Sequence, residues 1–169
     1  MVPQSGSDRL RVRKAVRSDA AACAAIYTPF VTDGWTSFET HTPGTSEMAR
    51  RIVEYGNSHA WLVAEENADI VGFAYGSPHR SRSAYASSCD VAVYVAPAHA
   101  RKGVGKALYQ ELFPILAKNY HAAFAGIALP NDGSIALHEA LGFTPVGIYR
   151  EVGYKLGGWR DVGWWQLLL

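Results

Sequence analysis

The sequence predicts an α/β domain: a mixed, mostly antiparallel sheet of about seven strands flanked by helices, in the order βααβββαβαββ. Three observations carry this prediction. Short apolar runs rich in valine, isoleucine and aromatics alternate with stretches whose apolar residues recur at helical spacing. Trp61–Glu65 and Ile70–Tyr75 read as strands joined by Asn67-Ala68-Asp69, a hairpin signal. Ser88–Val95 passes Pro97 and a basic, glycine-containing bend straight into a helical stripe, a strand–loop–helix unit.

The elements follow in order. Residues 1–8 are expected to be a disordered lead-in, and residues 9–169 a single domain, as the length of 169 allows. Leu10–Val16 alternates as a first strand. Ser18-Asp19 can cap the next helix, whose stripe is Ala22, Ile26 and Phe30, and Pro29 is expected to end it near Thr28. A second helix runs from about Thr45 to Tyr55, with Met48, Ile52 and Tyr55 inward. After the hairpin and the strand Ser88–Val95, a third helix shows Val104, Leu108, Leu112, Ile115 and Leu116, and Pro114 should kink or shorten it. Ala123–Leu129 is a strand, and Ser134 can cap a short helix ended by Gly142. Thr144–Glu151 and Val162–Leu168 close the chain as strands.

Composition excludes several function classes. Apolar residues make up 49%, charged residues 18%, and the net charge is +1, so nothing electrostatic calls for nucleic acid or an anionic membrane. The N-terminus lacks a signal-peptide pattern and no apolar run approaches spanning length, which points to a cytoplasmic protein. Cys23 and Cys89 lie in unrelated contexts and read as buried, reduced thiols. A metal site is not expected. His138-Glu139 begins an H-E-x-x-H pattern, but Gly142 stands where the second histidine is needed, and the other histidines lack ligand spacing.

The bend Ala100-Arg101-Lys102-Gly103-Val104-Gly105-Lys106 is the richest in chemistry. A strand that delivers the chain into a helix N-terminus gathers unpaired N–H groups, a ready site for phosphate. Gly103 and Gly105 allow close approach, while Arg101, Lys102 and Lys106 add charge. A nucleoside-triphosphate loop would need a hydroxyl where Ala107 stands, and a dinucleotide loop a third glycine where Leu108 stands. A coenzyme A pyrophosphate loop remains, beside the plainer reading of a glycine-softened helix start.

Loop and element order together resemble the GNAT superfamily of acetyl-CoA-dependent N-acetyltransferases. Four segments are similar to its phosphinothricin and methionine sulfoximine acetyltransferase branch: Ser37-Phe38-Glu39-Thr40, Pro130-Asn131-Asp132, Leu137-His138-Glu139-Ala140-Leu141-Gly142-Phe143, and Gly153-Tyr154-Lys155-Leu156-Gly157-Gly158-Trp159-Arg160-Asp161-Val162. The resemblance is collinear over roughly Leu10–Leu168. It implies the GNAT fold, acetyl-CoA as co-substrate, and transfer to the α-amino group of a small amino acid or analogue such as phosphinothricin, methionine sulfoximine or methionine sulfone. It also implies direct transfer through a ternary complex, and a homodimer.

The resemblance assigns roles to residues. Amides of Arg101, Lys102, Gly103, Val104, Gly105 and Lys106 would bind the pyrophosphate, and the backbone of Val93, Tyr94 and Val95 the pantetheine arm. Asn131 would contact that arm through its side chain, with Ser134 beside it. A main-chain N–H near Val95 would hold the oxyanion. Ala100 replaces the glutamine or arginine usual at the head of this loop, which implies weaker coenzyme binding.

Alternation puts Asp90, Ala92 and Tyr94 on one face, and a carboxylate in so apolar a strand suits a base. It also fits an arginine ion pair or an edge-strand charge. The branch usually has glutamate there, so the shorter aspartate would work through a bridging water. His138 is the implied acid for the thiolate, although a single helical histidine also reads as a packing residue. Arg80 and Arg82 can fork onto a substrate carboxylate or simply form a solvated basic loop. Phe38, Tyr85, Tyr27 and Tyr154 are candidate pocket walls, equally readable as core, and Lys155 is implied to approach a neighbouring subunit's site. Rival functions are a GNAT enzyme acting on a polyamine, aminoglycoside or protein N-terminus, and a non-catalytic acetyl-CoA-binding sensor.

Overall fold

Residues 9–169 are described by the computed structural model, and the expected lead-in at residues 1–8 lies outside them. The strands are β1 (Arg11–Lys14), β2 (Trp61–Glu66), β3 (Asp69–Pro78), β4 (Ser88–Val95), β5 (Ala122–Ala128), β6 (Thr144–Lys155) and β7 (Gly158–Leu168). The helices are α1 (Ala20–Thr32), α2 (Thr45–Ser58), α3 (Val104–Leu116) and α4 (Asp132–Ala140). The order is the predicted βααβββαβαββ. All seven strands form one sheet, ordered β1-β2-β3-β4-β5-β7-β6. Every pair is antiparallel except β4–β5, where the α3 crossover returns the chain in the same direction.

Both faces of the β2–β3–β4 region are covered, which is why β2 reads as a continuous apolar run. Leu62, Ala64, Ala74, Cys89 and Val91 meet α3 through Leu108, Leu112 and Leu116. Trp61, Val63 and Phe73 meet Cys23, Ile26 and Tyr27 of α1 and Met48 and Ile52 of α2. Cys23 and Cys89 are free and buried, and burial pushes each thiol up to about 12. Among the described residues no helix is long and apolar enough to cross a membrane.

The structure corrects several local expectations. α1 continues through Pro29 to Thr32 because Val31 is buried and the turn is re-bonded: Thr28 Oγ1 donates to the Ala24 carbonyl at 2.8 Å and the Asp33 N–H to Pro29 at 2.9 Å. The buried stripe of α1 therefore runs through Cys23, Ile26, Tyr27 and Val31. Pro114 likewise sits inside α3, on its exposed side, without ending it. Asp19 does not cap α1. Its carboxylate accepts from Arg13 at 2.8 and 2.9 Å and from the Val16 N–H at 2.8 Å. Asn131, rather than Ser134, caps α4, its Oδ1 accepting from the Ser134 N–H at 3.1 Å.

The last two strands are much longer than their alternation suggests. A register shift between Tyr149 and Gly153, with Glu151 at φ 51°, breaks the pattern midway. Leu156 and Gly157, at φ 50° and 75°, then close a tight hairpin that the glycine-rich sequence hides.

Candidate active site

The site begins where two strands part. β4 and β5 pair only through Ser88–Ala122, Cys89–Ala123 and Asp90–Phe124. Beyond Asp90, β4 keeps its partner on β3 but has none on β5. The Ala96 N–H donates to Val71 on β3 at 2.8 Å, so alternation turns the Val93 and Val95 N–H groups toward the opened edge. A cavity of about 60 Å³ fills the opening, walled by Ala92, Val93, Gly126, Tyr109 and His138. It shares Val93, Tyr94, Asn131 and Ser134 with a cleft of about 360 Å³ that runs past the loop.

The cleft is walled by Val93, Tyr94, Val95, Arg101, Gly103, Val104, Gly105, Lys106, Asn131 and Ser134. Of the residues predicted to bind coenzyme, only exposed Lys102 is outside its walls. Arg101 and Gly103 have φ of 61° and 82°, two left-handed residues that wind the loop tightly just before α3. No side chain caps that helix, which leaves its first N–H groups available. A Cβ on Gly105 would come within 3.1 Å of Leu137, so glycine lets α3 close against α4. The loop thus fits an anionic group bound by main-chain donors, and coenzyme A is such a group.

His138 is 3% exposed and bonded at both nitrogens. The Ser134 carbonyl, 2.7 Å from Nδ1, can only accept, so Nδ1 carries the proton. Nε2, 3.0 Å from the Tyr109 hydroxyl, then accepts from it. Burial lowers the imidazole pKa, partly offset by the Ser134 bond. Burial also holds the Tyr109 phenol well above its usual value. Tyr109 went unnoticed in the sequence because it follows Leu108 in an apolar stripe, where a tyrosine looks like core.

Asp90 has a histidine partner rather than an arginine. Its Oδ1 lies 2.6 Å from Nδ1 of His79, just past β3. Burial raises the Asp90 pKa, while His79 and Arg80 pull it down. The His79 ring stacks on Phe124 at 4.4 Å and meets Tyr85 edge-on at 5.9 Å, and the Arg80 guanidinium sits 5.7 Å over the Trp164 ring. These side chains form one cluster around the last shared rung of β4 and β5. His79, Phe124 and Trp164 carried no isolated sequence signal, since the sheet register alone brings them together. Arg82 is exposed and joins no ion pair among the described residues.

The remaining candidates belong to another junction. Lys155, expected near a neighbouring subunit's site, ends inside its own protomer, where Nζ donates to the Val31 and Ser37 carbonyls at 2.7 Å each. Burial lowers its pKa. It is a clamp between the β6–β7 hairpin and the end of α1. Phe38 covers Gly153, where an added Cβ would clash with its ring. Tyr154 is 61% exposed beside Trp159, and Tyr27 is core, bonded to Ser37 and Glu39. None of these four lines the cavity or the cleft. Among the described residues no group of three or more His, Cys, Asp or Glu could hold a metal.

Residues 12–164 match the acetyltransferase (GNAT) domain family, and the chain belongs to it as an N-acyltransferase. Among curated relatives, it is 37% identical to a phosphinothricin N-acetyltransferase of Streptomyces viridochromogenes, over 93% of this chain and 86% of that protein. It is 33% identical to an L-methionine sulfoximine/L-methionine sulfone acetyltransferase of Salmonella typhimurium, over 95% of each. Its fold matches a phosphinothricin acetyltransferase of Sinorhizobium meliloti solved with acetyl-CoA, at TM-score 0.89 and 34% identity, over 95% of this chain and 88% of that one.

Proposed function

We propose that this protein transfers acetyl from acetyl-CoA to the α-amino group of a small amino acid or analogue of the phosphinothricin, methionine sulfoximine or methionine sulfone type, directly within a ternary complex. The observation that carries the proposal is the parting of β4 from β5 at Asp90. It leaves main-chain N–H groups unpaired beside a buried histidine–tyrosine pair, with the Asp90–His79 pair at the last shared rung. The relatives' substrates supply the class.

In this reading Arg101, Gly103, Val104, Gly105 and Lys106 bind the pyrophosphate, with Lys102 adding charge, and Val93, Tyr94, Asn131 and Ser134 align the pantetheine arm. Asp90 accepts the ammonium proton through a bridging group, water in the simplest case. The freed amine attacks the thioester carbon, forming the C–N bond. The Val95 N–H receives the oxyanion, a donor worth about 3–4 kcal/mol in such sites. Collapse breaks the C–S bond. The second nitrogen proton reaches sulfur through Tyr109 and His138: the hydroxyl donates to neutral Nε2 and can accept from protonated Nε2, so the pair stays bonded in both states. Arg80 and Arg82 receive the substrate carboxylate, with Tyr85 as a wall.

A homodimer fits the same reading, since Val146, Ile148, Val152, Tyr154, Leu156 and Trp159 of the terminal hairpin are each more than half exposed. The test is thiol release from acetyl-CoA with methionine sulfoximine, phosphinothricin, spermidine and a generic peptide. Release with the two amino acid analogues alone is expected. Release only with spermidine or peptide would move the substrate class, and binding without release would favour the sensor.

A further inference from the structure

Asp90 is one methylene shorter than the glutamate of the branch it resembles, and the His79 ring lies directly against its carboxylate. We propose that His79 is a catalytic residue of the acetyl transfer: its Nε2 takes the proton from the substrate ammonium, and Asp90 orients the ring and balances its charge. This inference rests on the acetyltransferase reading above and replaces the bridging water with a residue of the chain.

The geometry of the pair carries the argument. A carboxylate accepts, so the 2.6 Å contact between Asp90 Oδ1 and His79 Nδ1 places the ring proton on Nδ1. That leaves the lone pair on Nε2. Nε2 has no hydrogen-bond partner among the described residues, yet it is not among the polar atoms sealed away from solvent. The side chain keeps 13% exposure, and that of Asp90 28%. A histidine present only to neutralise Asp90 has no need of an open second nitrogen.

The ring is held as a base must be. Phe124 stacks on it at 4.4 Å and 20°, Tyr85 approaches edge-on at 5.9 Å and Trp164 at 6.0 Å and 86°. Ser77 pairs with Asp90 across β3–β4, and Asp90 with Phe124 across β4–β5. His79, two residues past Ser77, shares their face and leans over the last rung before the strands part. The base therefore stands beside the last rung that β4 and β5 share, where the two strands begin to part.

The surrounding charges suit one proton moving on and off. Asp90 faces the ring from β4, Arg80 adjoins it in the chain, and the Tyr85 phenol approaches from the following turn. Phe124 and Trp164, from β5 and β7, are uncharged, and Cys89 lies on the opposite face of β4. When the ammonium gives its proton to Nε2, the imidazolium is paired with the Asp90 carboxylate, Nδ1–H is unchanged, and the neutral amine keeps the electron pair that attacks carbon. The proton returns to solvent after product leaves.

The experiment measures kcat and kcat/KM against pH, with methionine sulfoximine and acetyl-CoA, for the unmodified protein and His79→Asn. Asparagine keeps an amide nitrogen where Nδ1 stood, preserving the Asp90 bond, but has no second nitrogen. The expected result is a kcat about 100-fold lower or more, an acetyl-CoA KM within about twofold, and loss or displacement of the acidic limb. ¹⁵N NMR of the unmodified protein, independent of any variant's folding, should find His79 as the Nδ1–H tautomer. Unmodified kcat and acidic limb in His79→Asn, or an Nε2–H tautomer, would overturn the proposal. Failure of the unmodified protein to release thiol with any amino acid analogue would instead remove the acetyltransferase reading beneath it.

Discussion

His138 shows how little freedom a buried imidazole has. The Ser134 carbonyl fixes the proton on Nδ1, and the Tyr109 hydroxyl occupies Nε2. Removing that hydroxyl leaves Nε2 buried without a partner, a defect costing about 1–3 kcal/mol. We expect Tyr109→Phe to lose about 1–2 kcal/mol of stability in urea denaturation and to lower kcat at least tenfold while sparing the acetyl-CoA KM. Unchanged kcat with lowered stability would make Tyr109 a packing residue only. At this scale the sequence was partly legible. Asp90 stood out because a carboxylate in an apolar strand is conspicuous, and His138 only through the resemblance of its segment to the acetyltransferase branch. Tyr109 and His79 did not, because their partners lie 29 and 11 residues away and chain proximity shows neither.

At the scale of elements, the loop before α3 works through backbone winding. Gly103 has φ 82° and open space where a Cβ would go, so the cost of a side chain there is conformational rather than steric. Gly103→Val is expected to raise the acetyl-CoA KM about tenfold, with a stability loss of about 1–2 kcal/mol and the amino acid KM little changed. A rise confined to the amino acid KM would count against a pyrophosphate role for the loop. Element existence was readable throughout, because hydrophobic period and turn residues are local properties. Element ends were less so. α1 runs past Pro29 because burial of Val31 and a hydroxyl-bonded turn outweigh the lost N–H, and these are tertiary facts. The hairpin of β6 and β7 was underestimated for a similar reason: a bulge at Glu151 and the turn at Leu156-Gly157 interrupt an alternation that cross-strand pairing then restores.

For the whole molecule, the terminal hairpin poses the largest unsolved burial problem. Its apolar side chains are exposed in the single chain, Trp159 to 62% and Val146 to 60%. Yet Lys155 pins the hairpin firmly to the end of α1. A rigid apolar surface of this kind suits a second copy. Sedimentation is expected to give about twice the chain mass of 18.4 kDa, falling to one chain mass in Ile148→Glu/Trp159→Glu. A monomeric unmodified protein would remove the homodimer from the proposed function.

The sequence by itself determined the order of strands and helices and the crossover loop with its glycines. These depend on period, turn chemistry and composition, all carried by neighbouring residues. Only the tertiary structure decided which residues meet. It separated Lys155, Tyr27, Tyr154 and Phe38 from the cleft, paired Asp90 with His79 and His138 with Tyr109, and opened β4 from β5 at one rung. Each of those outcomes is a contact between distant parts of the chain, set by sheet register and by the packing of helices on its faces, and neither is a local property of sequence.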